Sequence, residues 1–193
     1  MSDSIWRQLW NVPNVVSLVR LALIPLFLWL VVVDQFGWAG LLLGVIGATD
    51  WIDGFLARRL GQVTEVGKFL DPLADRIAVI LAVIAGLVTG VLPAWFAWAL
   101  IAREVLIGIG AIYGWTRGVT RLDVRYLGKV ATLMLYFAIT FFYVGVGFEV
   151  ELLEFAGHAV GIPGLAIYYW VAVQYVGDMQ RAIREARVDG ASR

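Results

Sequence analysis

Residues 14–33 read NVVSLVRLALIPLFLWLVVV, an almost unbroken apolar run that is long enough to cross a lipid bilayer. A transmembrane helix needs about 20 mostly apolar residues. Five further windows have the same character, at 39–59, 72–90, 92–114, 127–147 and 159–179. The sequence therefore predicts an all-α integral membrane protein with six transmembrane helices.

The composition of the 193-residue chain agrees with this prediction. Hydrophobic residues make up 61% of the chain and charged residues 16%, whereas soluble domains carry about 25% charged residues. The lack of cysteine excludes disulfide scaffolds, cysteine-ligated zinc and thiol nucleophiles. The formal net charge is zero, so overall charge gives no reason to expect a nucleic-acid partner. We expect one membrane domain over residues 1–193.

The two ends of the chain carry separate expectations. Within residues 1–12, four apolar side chains share one helical face, which predicts a short interfacial helix: Ile5, Trp6, Leu9 and Trp10. The first apolar run contains Arg20 and Pro25 and has no small-residue cleavage site before Asp34. We therefore interpret it as a retained helix rather than a signal peptide. Residues 180–193 are expected to form a cytoplasmic tail.

Basic residues lie on one side of the predicted helices. The turns after helices 1, 3 and 5 contain no lysine or arginine, and the last of them holds Glu149, Glu151, Glu154 and His158. The other side holds Arg7, Arg58, Arg59, Lys68, Arg117, Arg121, Arg125, Lys129, Arg181, Arg184, Arg187 and Arg193. By the positive-inside rule, both chain ends and the 2–3 and 4–5 loops face the cytoplasm. The location predicted is the cell's inner or plasma membrane.

Charged residues inside membrane spans are costly and are therefore candidates for function. The set comprises Arg20, Asp50, Asp53, Asp71, Asp75, Arg76, Arg103 and Glu104. Asp50 and Asp53 are spaced i, i+3 on helix 2, and Asp71 and Asp75 are spaced i, i+4 on helix 3. Each pair therefore shares a helix face. All four lie near the predicted cytoplasmic ends, so we expect one polar cavity open to the cytoplasm.

The aspartate faces predict a metal centre beside a phosphate site. Four carboxylates cannot all stay ionised in a poorly solvated cavity without cations. Hard oxygen ligands, with no cysteine or nearby histidine, indicate two Mg²⁺ or Mn²⁺ ions rather than zinc. Gly54 and Ala57 share the Asp50 and Asp53 face and would let a bulky ligand approach the backbone, while Arg58 beside them suits a phosphate. Such a site is suited to in-line phosphoryl transfer.

The same aspartates are also compatible with structural roles or with transport. Asp71 precedes Pro72 and would serve as an ordinary helix N-cap. Asp75 with Arg76, or Asp53 with Arg58, would form structural ion pairs. A proton or cation transport path is the alternative of a different functional class, since transport also uses buried carboxylates. Spacing alone leaves these alternatives open.

The stretch from 50 to 75 resembles the signature of the CDP-alcohol phosphotransferase family, Asp-x2-Asp-Gly-x2-Ala-Arg-x8-Gly-x3-Asp-x3-Asp. It reads DWIDGFLAR, eight residues, then GKFLDPLAD. Every fixed position is matched, by Asp50, Asp53, Gly54, Ala57, Arg58, Gly67, Asp71 and Asp75. Eight identities with a defined gap make a specific motif. A transporter would need neither the gap nor Gly54, Ala57 and Arg58.

The resemblance implies an enzyme that uses a CDP-linked lipid, commonly CDP-diacylglycerol, and releases CMP. The four motif aspartates would hold two metal ions, and Asp75 would also be the general base for the acceptor hydroxyl. The remaining residues implied to bind the CDP-lipid are Gly54, Ala57, Arg58, Thr64 and Gly67. Thr64 has an alternative as a solvated loop residue, and Gly67 as a turn glycine. The resemblance also implies a homodimer among membrane lipids.

The acceptor is expected to be glycerol 3-phosphate. The opening Pro13-Asn14-x-x-Ser17-x-x-Arg20 resembles the branch that makes phosphatidylglycerol phosphate, and Asn14 and Ser17 would line the donor site or cap the helix. Arg20, Arg103 and Lys129, joined by Arg121 or Arg125, would form an acceptor-phosphate pocket if they converge.

A different acceptor and a different role for Arg103 both stay open. The run Tyr168-Tyr169-Trp170 to Arg181 resembles the CMP-forming cardiolipin synthase branch, whose acceptor is phosphatidylglycerol, and other alcohols are possible within the family. Arg103 would instead pair structurally with a carboxylate. Its neighbour Glu104 is not the expected partner, because adjacent helical residues point apart.

Overall fold

The computed structural model describes the backbone of residues 12–60, 65–117 and 126–191. Side chains are described for 19–48, 76–110, 112–114, 116–117, 126–178 and 180. The predicted interfacial helix at 1–12 lies almost wholly outside these ranges.

The described backbone forms six α-helices and no strand, so the all-α prediction is confirmed. Their bounds are α1 Val12–Val32, α2 Phe36–Leu60, α3 Glu65–Thr89, α4 Ala94–Thr116, α5 Tyr126–Phe148 and α6 Glu151–Ala191. Each of the six predicted windows falls on one of these helices. Within the described residues, three stretches are long and apolar enough to span a membrane: Ala94–Gly114, Tyr126–Phe148 and Glu151–Asp178.

Helix α3 begins at Glu65, seven residues before the predicted span. Asp71 therefore lies inside the helix, and its interpretation as an N-cap is wrong. Gly67 lies in the first turn of α3, so its interpretation as a turn glycine is wrong as well. Hydropathy did not detect the beginning of α3, because it locates the apolar part of a helix and the first turn of α3 contains polar residues.

Helix α6 also begins earlier than predicted, at Glu151. Glu151, Glu154 and His158 are therefore helical and do not belong to a loop, as the sequence pattern had indicated. The helix continues for 41 residues, through the predicted tail to Ala191. At 1.5 Å per residue this is about 60 Å, roughly twice the thickness of a bilayer core. A helix of this length that crosses a bilayer extends beyond the hydrocarbon core.

Three short turns close one end of the bundle, which we call the turn end. They join α1 to α2, α3 to α4 and α5 to α6, and each has one residue in the left-handed region: Asp34 (φ 57°), Gly90 (φ 77°) and Glu149 (φ 56°). The turn after α5 is closed by a hydrogen bond of 2.8 Å from the Val150 amide to the Gly145 carbonyl. The opposite end carries the aspartate motif, and we call it the motif end.

Helix α5 lies at the centre of the packing, against α2, α3 and α6. The Tyr143 hydroxyl donates a hydrogen bond of 2.8 Å to the Ala82 carbonyl of α3, and the Tyr136 hydroxyl donates to the Leu43 carbonyl of α2. From α6, the Tyr169 hydroxyl donates at 2.7 Å to the Ala99 carbonyl of α4. These bonds satisfy phenolic hydroxyls that would otherwise be buried without a partner. They also tie neighbouring helices together.

Helix α2 approaches α5 closely because glycines face it. A Cβ at Gly40 would lie 2.7 Å from the Cβ of Tyr143 and 2.8 Å from the Val144 amide nitrogen. At Gly37 it would lie 2.7 Å from the Phe148 ring. Small residues at such spacing let membrane helices pack backbone to backbone. This seam holds the helix that carries the first half of the motif.

Exposed tryptophans cluster near the turn end. Trp29 lies in the last turn of α1, Trp38 in the first turn of α2, and Trp95 and Trp98 in the first turns of α4. All four are between 50% and 60% exposed. Tryptophan is enriched at membrane–water interfaces. Their position therefore fits a bundle whose turn end meets one surface of a bilayer.

Candidate active site at the motif end

The helix bounds place the four motif aspartates at two matching depths. Asp50 and Asp53 stand 10 and 7 residues before the end of α2 at Leu60. Asp71 and Asp75 stand 6 and 10 residues after the beginning of α3 at Glu65. With a rise of 1.5 Å per residue, Asp50 and Asp75 lie about 15 Å from their helix ends, and Asp53 and Asp71 about 10 Å.

This arrangement fits a carboxylate metal centre, because only residues 61–64 separate the two helix ends. With the two helix ends at the same height, the aspartates would form two levels, each with one residue from α2 and one from α3, and all the donors would be hard oxygens. Their side chains lie outside the described residues. Among the side chains that the structure describes, no three acidic or histidine residues come together as a metal site.

Several other predicted site residues also fall outside the described part. For six of these residues the structure describes only the helical backbone: Asn14, Ser17, Gly54, Ala57, Arg58 and Gly67. Thr64 and Arg121 lie outside the described backbone. Their roles stay predictions.

Two of the predicted acceptor-site cations differ sharply in exposure. Arg20 is only 1% exposed, although it lies in the motif half of α1. Lys129 is exposed in the first turn of α5. Because one side chain is enclosed by the bundle and the other faces outward, the convergence of both with Arg103 stays a prediction.

Arg103 lies in a buried polar cluster with Glu104 and Tyr168, which we call the α4–α6 cluster. Its Nη1 donates to the Glu104 carboxylate at 2.8 Å, and its guanidinium carbon lies 3.3 Å from the centre of the Tyr168 ring. The Tyr168 hydroxyl donates to the same carboxylate oxygen of Glu104. The Nε of Arg103 is buried and has no hydrogen-bond partner in the described part of the chain.

The ion pair between Arg103 and Glu104 corrects the expectation from the sequence. Adjacent helical residues do leave the backbone in different directions, but a long guanidinium side chain can bend back. Here it lies across the Tyr168 ring, whose hydroxyl also holds Glu104. The third side chain, from α6, turns the two neighbours toward each other. A structural pairing of Arg103 was one of the predicted alternatives, but with a different carboxylate.

Sequence reasoning did not find Tyr168 as part of this cluster. The sequence pattern treated Tyr168 and Trp170 as parts of one aromatic run, yet Tyr168 is 7% exposed and Trp170 is 61% exposed. A buried phenol in a membrane helix requires a hydrogen-bond partner, and Glu104 is the carboxylate that supplies it. The need for a partner was the available signal. Its identity depended on how α4 and α6 pack.

Residues 10–174 match the family model described as CDP-alcohol phosphatidyltransferase. The chain belongs to the CDP-alcohol phosphatidyltransferase family. This phosphatidyltransferase is 36% identical over 186 residues to a Streptomyces coelicolor protein named cardiolipin synthase (CMP-forming), and the match covers 90% of the chain and 85% of the relative.

Further relatives of the phosphatidyltransferase carry two kinds of name. A putative cardiolipin synthase of Mycobacterium tuberculosis is 34% identical over 187 residues, covering 91% of the chain and 85% of the relative. A Bacillus subtilis protein named CDP-diacylglycerol–glycerol-3-phosphate 3-phosphatidyltransferase is 33% identical over 182 residues, covering 86% and 89%. The prediction of a CDP-diacylglycerol-dependent membrane enzyme of phospholipid synthesis, rather than a transporter, is confirmed.

Proposed function

We propose that this enzyme transfers the phosphatidyl group of CDP-diacylglycerol to phosphatidylglycerol, forming cardiolipin and releasing CMP. The choice of acceptor rests on one observation, that the guanidinium of Arg103 is already paired. Its charge is balanced by Glu104 and its face is covered by Tyr168. A phosphate monoester such as glycerol 3-phosphate carries about −1.5 to −2 charges and needs cations that are not already paired. A phosphodiester acceptor carries one charge and needs fewer.

Sequence similarity supports the same acceptor. The Streptomyces coelicolor and Mycobacterium tuberculosis relatives are both named for cardiolipin synthesis. Glycerol 3-phosphate is the second candidate, which the sequence motifs favoured and which the name of the Bacillus subtilis relative supports. The Nε of Arg103, buried and without a partner among the described residues, favours this candidate as a spare donor for an anion.

The proposed reaction assigns a task to each part of the motif. The acceptor hydroxyl oxygen forms a bond to the lipid-side phosphorus, the bond from that phosphorus to CMP breaks, and Asp75 takes the hydroxyl proton. Gly54, Ala57 and Arg58 seat the nucleotide and its diphosphate, with Thr64, Asn14 and Ser17 around them. Asp50, Asp53, Asp71 and Asp75 would hold two Mg²⁺ or Mn²⁺ ions, which neutralise phosphate charge when bound.

The proposal includes an orientation in the membrane. All six helices would cross the bilayer, with the motif end in the cytoplasm, where CDP-lipid headgroups and divalent ions are at hand. The absence of lysine and arginine from the three turns of the turn end supports this orientation. A homodimer stays a prediction from the family resemblance.

The test is an assay of the purified enzyme with radiolabelled CDP-diacylglycerol and Mg²⁺. Phosphatidylglycerol, glycerol 3-phosphate and inositol phosphate are offered in parallel, and the lipid products are separated. Cardiolipin with an equal amount of CMP is the expected result, and Asp75→Asn should lower its rate by about 10²–10⁴. Phosphatidylglycerol phosphate as the only product would overturn the choice of acceptor and establish the second candidate.

A further inference from the structure

A cavity of about 200 Å³ lies between α3, α4 and α5, against the α4–α6 cluster. Glu104 and Tyr168 of that cluster form part of its wall, and most of the remaining wall is aliphatic. No residue with a role in the proposed reaction is among the described residues that line this cavity.

The polar groups of the cavity lie toward the motif end. Glu104 of α4 and Thr132 of α5 are at this end, whereas Leu100 and Ile139 lie nearer the turn end. From Thr132 to Ile139 the wall extends about 10 Å along α5, at 1.5 Å per residue. The carboxylate of Glu104 is already engaged by Arg103 and Tyr168, so it adds little net charge to the wall. The cavity therefore has a polar top and a long apolar body.

The cavity opens sideways toward the bilayer. Ile80 and Ile84 of α3 and Val105 of α4 line it and are nevertheless 44%, 45% and 54% exposed. In a membrane protein these surfaces meet lipid rather than water. An apolar space that is continuous with the hydrocarbon region favours an acyl chain over a water-soluble ligand.

The position of the cavity links it to the acceptor rather than to the donor. Val79, at its motif end, stands one turn after Asp75, the proposed base for the acceptor. Thr132 stands three residues after Lys129 on α5, and Glu104 is the neighbour of Arg103. Helix α2, to which the nucleotide site is assigned, contributes no side chain to the described wall.

We propose that this cavity binds an acyl chain of the lipid acceptor, phosphatidylglycerol, and places its headgroup next to Asp75. The inference rests on the proposed function and extends it, because it accounts for how one bundle holds a second lipid beside CDP-diacylglycerol. The acyl chain would enter between α3 and α4, and the end attached to glycerol would lie at Glu104 and Thr132. The acyl chain then orients the acceptor hydroxyl before transfer.

The experiment fills the cavity from two sides and measures steady-state kinetics with each lipid varied in turn. Ile101→Trp places a large side chain in the body, and Ile80→Trp places one at the exposed mouth. Ile109→Trp is the matched control, since Ile109 lies on α4, is 60% exposed and does not line the cavity. Both cavity variants should raise the KM for dioleoyl phosphatidylglycerol roughly tenfold, as expected when about two methylene contacts are lost.

Three comparisons separate this effect from misfolding and from failure of the proposed function. The KM for CDP-diacylglycerol should stay within about twofold of the parent, which a misfolded enzyme would not achieve. With glycerophosphoglycerol, the same headgroup without acyl chains, the variants and the parent should match. Equal KM values for the cavity variants and Ile109→Trp would overturn the acyl-chain site while leaving cardiolipin synthesis intact. A parent enzyme that forms no cardiolipin would overturn both proposals.

A photoactivatable phosphatidylglycerol gives a second readout that does not depend on turnover. A diazirine near the end of its acyl chain should label residues of the cavity wall within 79–105 or 132–139 in the parent, and labelling there should fall in Ile101→Trp. Labelling confined to α1 and α2 would contradict the proposed position.

Discussion

Arg103 and Glu104 form an ion pair inside the bundle, where an uncompensated charge would be costly. The two side chains differ in burial, at 9% and 33% exposed, because Glu104 borders the cavity. Tyr168 holds both of them, through its ring and its hydroxyl. Through Tyr168, the pair therefore links α4 to α6 as well as neutralising a charge.

At the residue scale, removing both charges should cost less stability than the two single losses add up to. Arg103→Gln leaves the Glu104 carboxylate without a cation and should lower the free energy of unfolding by about 3 kcal/mol. Glu104→Gln should have a similar cost. The double variant should be more stable, by at least about 1 kcal/mol, than the sum of the two losses implies. Thermal unfolding in detergent, followed by circular dichroism, measures the three values.

Additive losses would contradict the paired arrangement. The KM for the acceptor then distinguishes a binding role from a structural one. If Arg103→Gln raised this KM while unfolding stayed unchanged, Arg103 would serve as the acceptor-phosphate ligand that the sequence indicated, and its contact with Glu104 would be incidental.

At the scale of helices, the glycine seam between α2 and α5 decides how the first half of the motif is held. Gly40 faces the backbone of α5 at a distance that leaves no room for a methyl group, whereas a Cβ at Gly108 of α4 would meet nothing within 4 Å. The two glycines are therefore a matched pair: one has a packing role, and the other only lowers helix propensity.

Gly40→Ala should destabilise the protein and Gly108→Ala should not. The first change forces α2 away from Tyr143 and should cost about 1–3 kcal/mol, as overpacking does. The second should be neutral or stabilise by up to about 1 kcal/mol, since alanine favours a helix over glycine. Unfolding midpoints in the same detergent test both. An equal loss for the two variants would remove the argument for a specific seam.

The turn between α5 and α6 permits a stabilising change. Glu149 has φ 56°, a conformation that costs an ordinary residue about 1 kcal/mol or more and that glycine adopts readily. Glu149→Gly should therefore raise the free energy of unfolding by about 0.5–1 kcal/mol. Glu151→Gly, in the first turn of α6, is the control and should lower it, since an acidic residue is favourable there. A lower melting temperature for Glu149→Gly would mean that its side chain has a role beyond the turn geometry.

At the scale of the whole molecule, hydropathy located all six helices because each is built around an apolar segment. It misplaced the beginnings of α3 and α6, since Glu65 and Glu151 start helices without being apolar. The aspartate pairs were predictable, because their spacing lies within single helices. The contact of Tyr168 with Glu104 was not, because it joins residues 64 positions apart on different helices. Periodicity describes one helix at a time and leaves helix–helix contacts undetermined.

The orientation of the whole bundle in the membrane rests on the charge of its two ends. Intact cells should expose single cysteines at Gln35, Val88 and Glu151 to an impermeant thiol reagent, since all three are exposed at the turn end. A cysteine at Gln62, between the halves of the motif, should react only after the cells are opened. The native chain has no cysteine, so each signal reports one position. Labelling of Gln62→Cys in intact cells would reverse the orientation and place the aspartates outside, away from cytoplasmic CDP-lipid headgroups. This orientation is inferred from the charge asymmetry between the two ends. Adding arginines to the turn after α1 should therefore make the orientation less favourable.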